Sequence, residues 1–271
     1  LWAAARRFIG QEAARGAVLV ALGCLGLLVH AHEFQPAIVH LAATAALYWG
    51  LALLPEQPRR GGALAGAALG LGFLAVGLPV LITLGPLLLL LPLIWSRLRT
   101  SQGAHGMLAA LAVAAPLILI WPLTLYLKDP AAFAAWWTRE LAGLKPGSNV
   151  SLSLWNFLQL LSWFAWPALP LAAWTLWKER RRLIEPRTLI PLTSFVVLLA
   201  VQSVFSEPRS LNALPLLPPL ILLAAPATLS LRRGAANAFD WFGMMTFSLL
   251  AGLIWLGWAA MVFGVPPQIA K

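Results

Sequence analysis

Residues 61–95 read GGALAGAALGLGFLAVGLPVLITLGPLLLLLPLIW, about 35 residues without a charge. As one helix at 1.5 Å per residue the run would measure about 52 Å, far beyond the ~30 Å core of a bilayer. Basic residues flank both ends, Arg59 and Arg60 before it and Arg97 and Arg99 after it. Basic residues on the same side require an even number of crossings. The run is therefore predicted to be a membrane hairpin turning near Gly77-Leu78-Pro79, its second arm kinked by Pro86 and Pro92.

Working outward, the whole chain reads the same way. Of 271 residues 61% are hydrophobic and only 10% charged, with a mean hydropathy of +0.82. A soluble domain carries about 25% charged residues, so this chain lacks the means to cover a water-facing surface. Further spans are predicted from about Gly16 to Ala31, Pro36 to Leu54, Met107 to Leu127, Trp155 to Trp177, Thr188 to Phe205, Asn212 to Leu231 and Trp241 to Phe263. With the hairpin they make nine crossings. The predicted fold class is all-α, a polytopic transmembrane helical bundle, with residues 1–271 as one membrane domain.

The net charge of +10 is a matter of topology. Fourteen of the 19 Lys and Arg fall in alternate gaps: Arg6, Arg7, Arg15, Arg59, Arg60, Arg97, Arg99, Lys178, Arg180, Arg181, Arg182, Arg187, Arg232 and Arg233. The other five are Lys128, Arg139, Lys145, Arg209 and Lys271. The positive-inside rule makes the first set cytoplasmic. The loops holding Glu33, residues 128–153 and Glu207, and the C-terminus, are then extracytoplasmic. Basic residues that cap apolar spans form no stripe for a nucleic acid, so none is expected as a partner. The single cysteine, Cys24, lies in an apolar run and offers neither a disulfide framework nor a thiolate metal set.

The 128–153 loop is the one substantial piece outside the membrane. Asp129 followed by Pro130 opens a predicted short helix. Phe133, Trp136 and Trp137 share one of its sides, as in an amphipathic helix lying on the membrane surface. Lys145-Pro146-Gly147-Ser148-Asn149 ends it.

Three groups of side chains invite a chemical reading. His30, His32, Glu33 and Gln35, with His40 further on, sit at an extracytoplasmic span junction. Imidazoles and a carboxylate so close suit a divalent cation or acid–base work; the plain alternative is polar groups finishing helix ends at the interface. Arg209, in Ser206-Glu207-Pro208-Arg209-Ser210, is a basic residue on the side where these are scarce. A guanidinium at the membrane edge suits a lipid phosphate, or simply pairs with Glu207. Arg139 and Glu140, between Lys128 and Lys145, either meet an anionic lipid-linked substrate or solvate their loop. There is no P-loop, dinucleotide fingerprint, zinc-type spacing or nucleophile elbow.

Residues 205–220, FSEPRSLNALPLLPPL, resemble a late segment of the bacterial type-C glycosyltransferases, the relatives of the aminoarabinose lipid A transferases and protein O-mannosyltransferases. In that segment a basic residue follows a polar turn and a Leu-Pro-rich helix opens. Leu71 through Pro79 is similar to the family's glycine-rich hairpin, which has Lys-Gly-Pro where this chain has Val76-Gly77-Leu78. Ala115-Pro116 through Tyr126, Asp129-Pro130, and Trp136 to Glu140 are similar to a span entering a periplasmic helix. Trp163-Phe164-Ala165-Trp166-Pro167 is similar to the span after it.

The resemblance implies a glycosyltransferase of the bacterial inner membrane that moves a sugar from a polyprenyl phosphate to an extracytoplasmic acceptor, among membrane lipids. It implies that Arg209 holds the donor phosphate. It implies a cleft lined by His30, His32, Glu33, Gln35, Arg139, Glu140 and Glu207. A catalytic aspartate is expected upstream of Leu1, in a first large loop outside this sequence, so that the chain reads as an N-terminally truncated part, inactive alone. Glu33 stands where relatives often carry an acidic or polar residue. It fixes no cofactor, and leaves open the divalent cation that the family occasionally uses. The rival readings are a transporter or flippase of lipid-linked intermediates, which calls for ionisable residues in mid-span, and a non-catalytic membrane scaffold.

Overall fold

The computed structural model describes residues 1–144, 149–231 and 233–264. Lys145, Arg232 and Lys271, sorted above by charge, and the break at 145–148 lie outside them. Two compact units are present, Leu1–Leu229 and Ser230–Lys271.

The first unit runs α1 (Trp2–Phe8), α2 (Gln11–Gly23), α3 (Leu25–His30), α4 (Pro36–Leu53), α5 (Pro58–Val76), α6 (Leu78–Ile94), a 3-10 turn at Ser96–Leu98, α7 (Ser101–Lys128), α8 (Pro130–Gly143), α9 (Val150–Phe164), α10 (Ala168–Lys178), α11 (Pro186–Phe205), α12 (Ser210–Ala213), a 3-10 turn at Leu214–Leu216, and α13 (Leu217–Thr228). The second holds α14 (Arg233–Phe263). No strand occurs among the described residues, and the all-α membrane bundle stands.

Proline opens α4, α5, α8 and α11, where its fixed φ suits a first turn and its missing N–H costs nothing. Asp129 caps α8 as predicted, accepting from the Ala132 amide at 2.9 Å. Asn149 caps α9 through the Leu152 amide at 3.1 Å.

The hairpin turns where its length and flanks required. The first arm ends at Val76 and the second begins at Leu78, with Gly77 between them at φ +87°. That left-handed conformation favours glycine. The first arm packs through small residues, as membrane helices do. A Cβ on Gly62 would strike the Gly106 carbonyl and one on Gly66 the Ala110 carbonyl, both on α7. Gly50 and Gly61 likewise let the backbones of α4 and α5 approach closely, a Cβ on either meeting the carbonyl of the other.

α13 forms the centre of the unit, with every residue from Leu217 to Ala225 buried. Around it, α7 leaves Leu119, Ile120, Trp121 and Leu123 at least half exposed. An apolar surface of that extent has lipid as its solvent. In the second unit α14 likewise exposes Leu249, Leu253, Ile254 and Trp255.

The count of nine crossings is not confirmed. Five helical stretches among the described residues are long and apolar enough to cross, or six if α9 and α10 are one broken span. Neither arm of the hairpin is among them, the second counting only as a shorter apolar helix, and two further predicted spans are interrupted. The first is extended at Cys24 (φ −68°, ψ 117°), where the Leu25 amide donates to the Trp166 carbonyl at 3.0 Å. The second bends by 103° between α9 and α10, at Ala165-Trp166-Pro167, because proline neither donates a helical hydrogen bond nor tolerates a helical turn before it. The two breaks lie together: Gly26 has no room for a Cβ against the Phe164 ring.

Candidate functional site

A cavity of about 360 Å³ opens where four connections of the first unit converge. The entry to α4 brings Gln35 and His40, and the hairpin tip brings Val76 and Pro79. Gly143 comes from the end of α8 and Gln202 from the last turn of α11. The following turn adds Ser206, Glu207, Arg209 and Asn212.

The 206–212 turn is short and internally tied. The Asn212 side-chain amide donates to the Glu207 carbonyl at 2.9 Å, and the Arg209 amide donates to the same carbonyl at 2.8 Å. The Arg209 guanidinium lies 2.5 Å from the Glu207 carboxylate while its side chain stays 73% exposed. It therefore stands at the rim, its charge only partly compensated by a wet ion pair.

The cavity floor is drier. His40 is 5% exposed, and its Nε2 lies 2.8 Å from the Thr83 hydroxyl. That hydroxyl donates to the Pro79 carbonyl at 2.7 Å, so it accepts from His40, which is then protonated at Nε2. The bond joins α4 to α6 directly beneath the hairpin tip. Beside it the Leu78 amide donates to the Glu140 carboxylate at 2.8 Å.

Of the residues singled out in the sequence, Gln35, Glu207 and Arg209 line this cavity, and Glu140 sits against the hairpin tip at its edge. His30, His32, Glu33 and Arg139 do not line it. His30 Nδ1 is instead 2.9 Å from the Glu33 carboxylate, so that pair closes on itself. Among the described residues no three His, Cys, Asp or Glu side chains gather where a metal ion would be held. Gln202, 3% exposed, lines the cavity and was missed; a glutamine one turn before the end of an apolar span was the available sign.

The other end of the unit has the opposite character. A hollow of about 600 Å³ is lined there by Arg7, Glu56, Trp95, Glu185 and Arg187, among others. Arg7 pairs with Glu56, and Arg187 with Glu185 at 2.9 Å. Arg59 and Arg60 border Glu56 in an adjoining hollow, and Arg180, Arg181 and Arg182 border Arg187 in another. α4 connects the two ends, starting at the Arg209 cavity and finishing at the arginine-rich hollow. Its 18 residues span about 27 Å, close to the thickness of a bilayer core. Arg209 and the clustered arginines Arg7, Arg59, Arg60, Arg180, Arg181, Arg182 and Arg187 thus lie at opposite ends of the first unit.

Comparison with known proteins bears on the fold. Residues 1–121 match the model of the family described as dolichyl-phosphate-mannose-protein mannosyltransferase. The crystal structure of ArnT from Cupriavidus metallidurans in the apo state superposes with a TM-score of 0.68 over 97% of the chain, at 20% sequence identity. The chain has the ArnT fold. The ArnT structure from the same organism bound to undecaprenyl phosphate matches with a TM-score of 0.67 over 96% of the chain, also at 20% identity. The chain spans about half of ArnT, covering 48% of that protein in both comparisons. No protein of curated function matches the sequence. The resemblance to the type-C glycosyltransferases is borne out, by sequence over the first 121 residues and by fold over nearly the whole chain.

Proposed function

We propose that this chain is part of a membrane glycosyltransferase that moves a sugar from a polyprenyl-phosphate donor to an acceptor on the extracytoplasmic side of a bacterial inner membrane. The observation that carries the reading is the position of Arg209. It stands on the rim of a polar cavity, at the end of the bundle opposite the arginine clusters, within the ArnT fold.

In such a transfer an acceptor oxygen attacks the anomeric carbon, and the bond from that carbon to the phosphate oxygen breaks. Negative charge grows on the departing polyprenyl phosphate. A guanidinium already in place stabilises that charge more than it stabilises the donor, which is the condition for lowering the barrier. Arg209 is assigned that role. Gln35, Gln202 and Asn212 supply neutral amides suited to sugar hydroxyls, and Glu207 holds the guanidinium until the phosphate takes its place. The orientation that puts Arg209 outside also puts the C-terminus outside, the arginine-rich end facing the cytoplasm.

The test is transfer of radiolabelled sugar from polyprenyl phosphate by membranes carrying the full-length protein. Arg209→Ala is expected to abolish transfer at unchanged expression. Wild-type rates in that variant remove Arg209 from the site. A wild-type protein that moves labelled lipid across the bilayer without transferring sugar is a flippase.

A further inference from the structure

α8 has no buried residue, yet one of its residues reaches a backbone 62 positions earlier. Glu140 accepts a hydrogen bond from the Leu78 amide, the first of α6. Charge-assisted bonds of this kind are about twice as strong as neutral ones, and a carboxylate at a helix N-terminus also meets the positive end of the helix dipole. The fit around it is close. A Cβ on Gly77 would collide with the Glu140 carboxylate, so the absence of a side chain at the hairpin tip admits the contact.

The contact has two consequences for the cavity. One turn beyond Glu140, Gly143 forms part of the cavity wall; on the other side of the bond, Val76 and Pro79 form another part. Glu140 therefore joins two walls that come from elements far apart in sequence. The remainder of α8 presents Phe133, Trp136 and Trp137 in ring contact with one another, Phe133 meeting Tyr126 edge-on, and none of these is buried.

We propose that Glu140 is a positioning residue, a clasp that holds the surface helix α8 on the hairpin tip and so sets the wall of the donor cavity. This rests on the reading of that cavity as the donor site.

The experiment uses the full-length protein in lipid nanodiscs and has two arms. Amide hydrogen exchange reads the clasp whether or not the protein transfers sugar. Glu140→Ala is expected to speed exchange at Leu78 and along α8 about ten-fold, while Glu140→Gln, which keeps an acceptor oxygen, stays within about three-fold of wild type. Transfer kinetics read the positioning. Glu140→Ala is expected to raise the KM for the polyprenyl-phosphate donor about ten-fold with kcat within about two-fold, and Glu140→Gln to restore most of it.

Gly77→Ala supplies a second variant, since its methyl takes the place of the carboxylate. Its effect on exchange is expected to be large in wild type and small in Glu140→Ala; the strain of its left-handed backbone is common to both backgrounds and cancels in the cycle. Unchanged exchange in Glu140→Ala, or additive effects of the two substitutions, overturns the clasp. Faster exchange with an unchanged donor KM overturns its role in positioning. A wild-type protein that transfers no sugar defeats the proposed reaction, and the exchange arm then decides the clasp alone.

Discussion

The guanidinium of Arg209 and the carboxylate of Glu207 lie 2.5 Å apart at the mouth of the polar cavity, two residues from each other in one turn. A phosphate that is to use Arg209 must compete with that carboxylate. Exposed pairs are worth about 0–1 kcal/mol, so the competition is mild. Glu207→Gln removes the competitor and keeps the turn, because the bonds that tie it run to the Glu207 backbone carbonyl. The donor KM is expected to fall by up to about five-fold in this variant, measured in the transfer assay at low salt, with the difference shrinking as salt rises.

Thr83→Val deletes the hydroxyl between α4 and α6 while keeping the side-chain shape. His40 is then left without the acceptor for its Nε2 proton. Hydrogen bonds between membrane helices average about 0.6 kcal/mol and reach about 1.7, and the loss is expected in that range. Thermal unfolding in nanodiscs should show a lowered Tm for Thr83→Val and a similar one for His40→Leu, with little further loss in the double variant.

Gly66→Leu tests the close approach of α5 to α7. Even a Cβ at this position meets the Ala110 carbonyl, so a larger side chain forces the helices apart. A destabilisation of about 1–3 kcal/mol is expected, read as a lower yield of monodisperse protein and a lower Tm. Gly143→Leu, on a helix where a Cβ meets nothing within 4 Å, is the control and should leave the Tm unchanged.

Sidedness is tested by cysteine labelling. Cys24 is buried, so introduced cysteines dominate the reaction with a membrane-impermeant reagent. Thr138→Cys on α8 should label from outside intact cells, and Arg181→Cys only after the membrane is opened. Labelling of both from the same side removes the common ground of the cavity reading.

The hairpin and the α8 cap were legible because each rests on a local rule with one physical outcome. A run too long for one crossing, with Arg59, Arg60 and Arg99 at its ends, has to turn, and Gly77 is where it does. Asp129 before Pro130 has to start a helix. The breaks at Cys24 and at Ala165-Trp166-Pro167 escaped because both runs have the length and hydropathy of straight spans; Pro167 alone marked the second. The cavity was half legible. Arg209, Glu207 and Gln35 meet there because loops on one side of a bundle converge. His30 and Glu33, three apart, satisfy each other, and the His30 ring has a different neighbour, the Phe164 ring, its centroid 6.4 Å away.

Helix α4 is pinned at both of its ends, by His40 on Thr83 near the start and by the turn that carries Glu56, paired with Arg7, just past the finish. Between those anchors its rotational phase is fixed. Removing one residue anywhere from Leu41 to Leu53 would swing one anchor by about 100° relative to the other. The length of α4 is thus constrained by mechanics, and a leucine in place of the exposed Val39 would be tolerated where a single deletion would not.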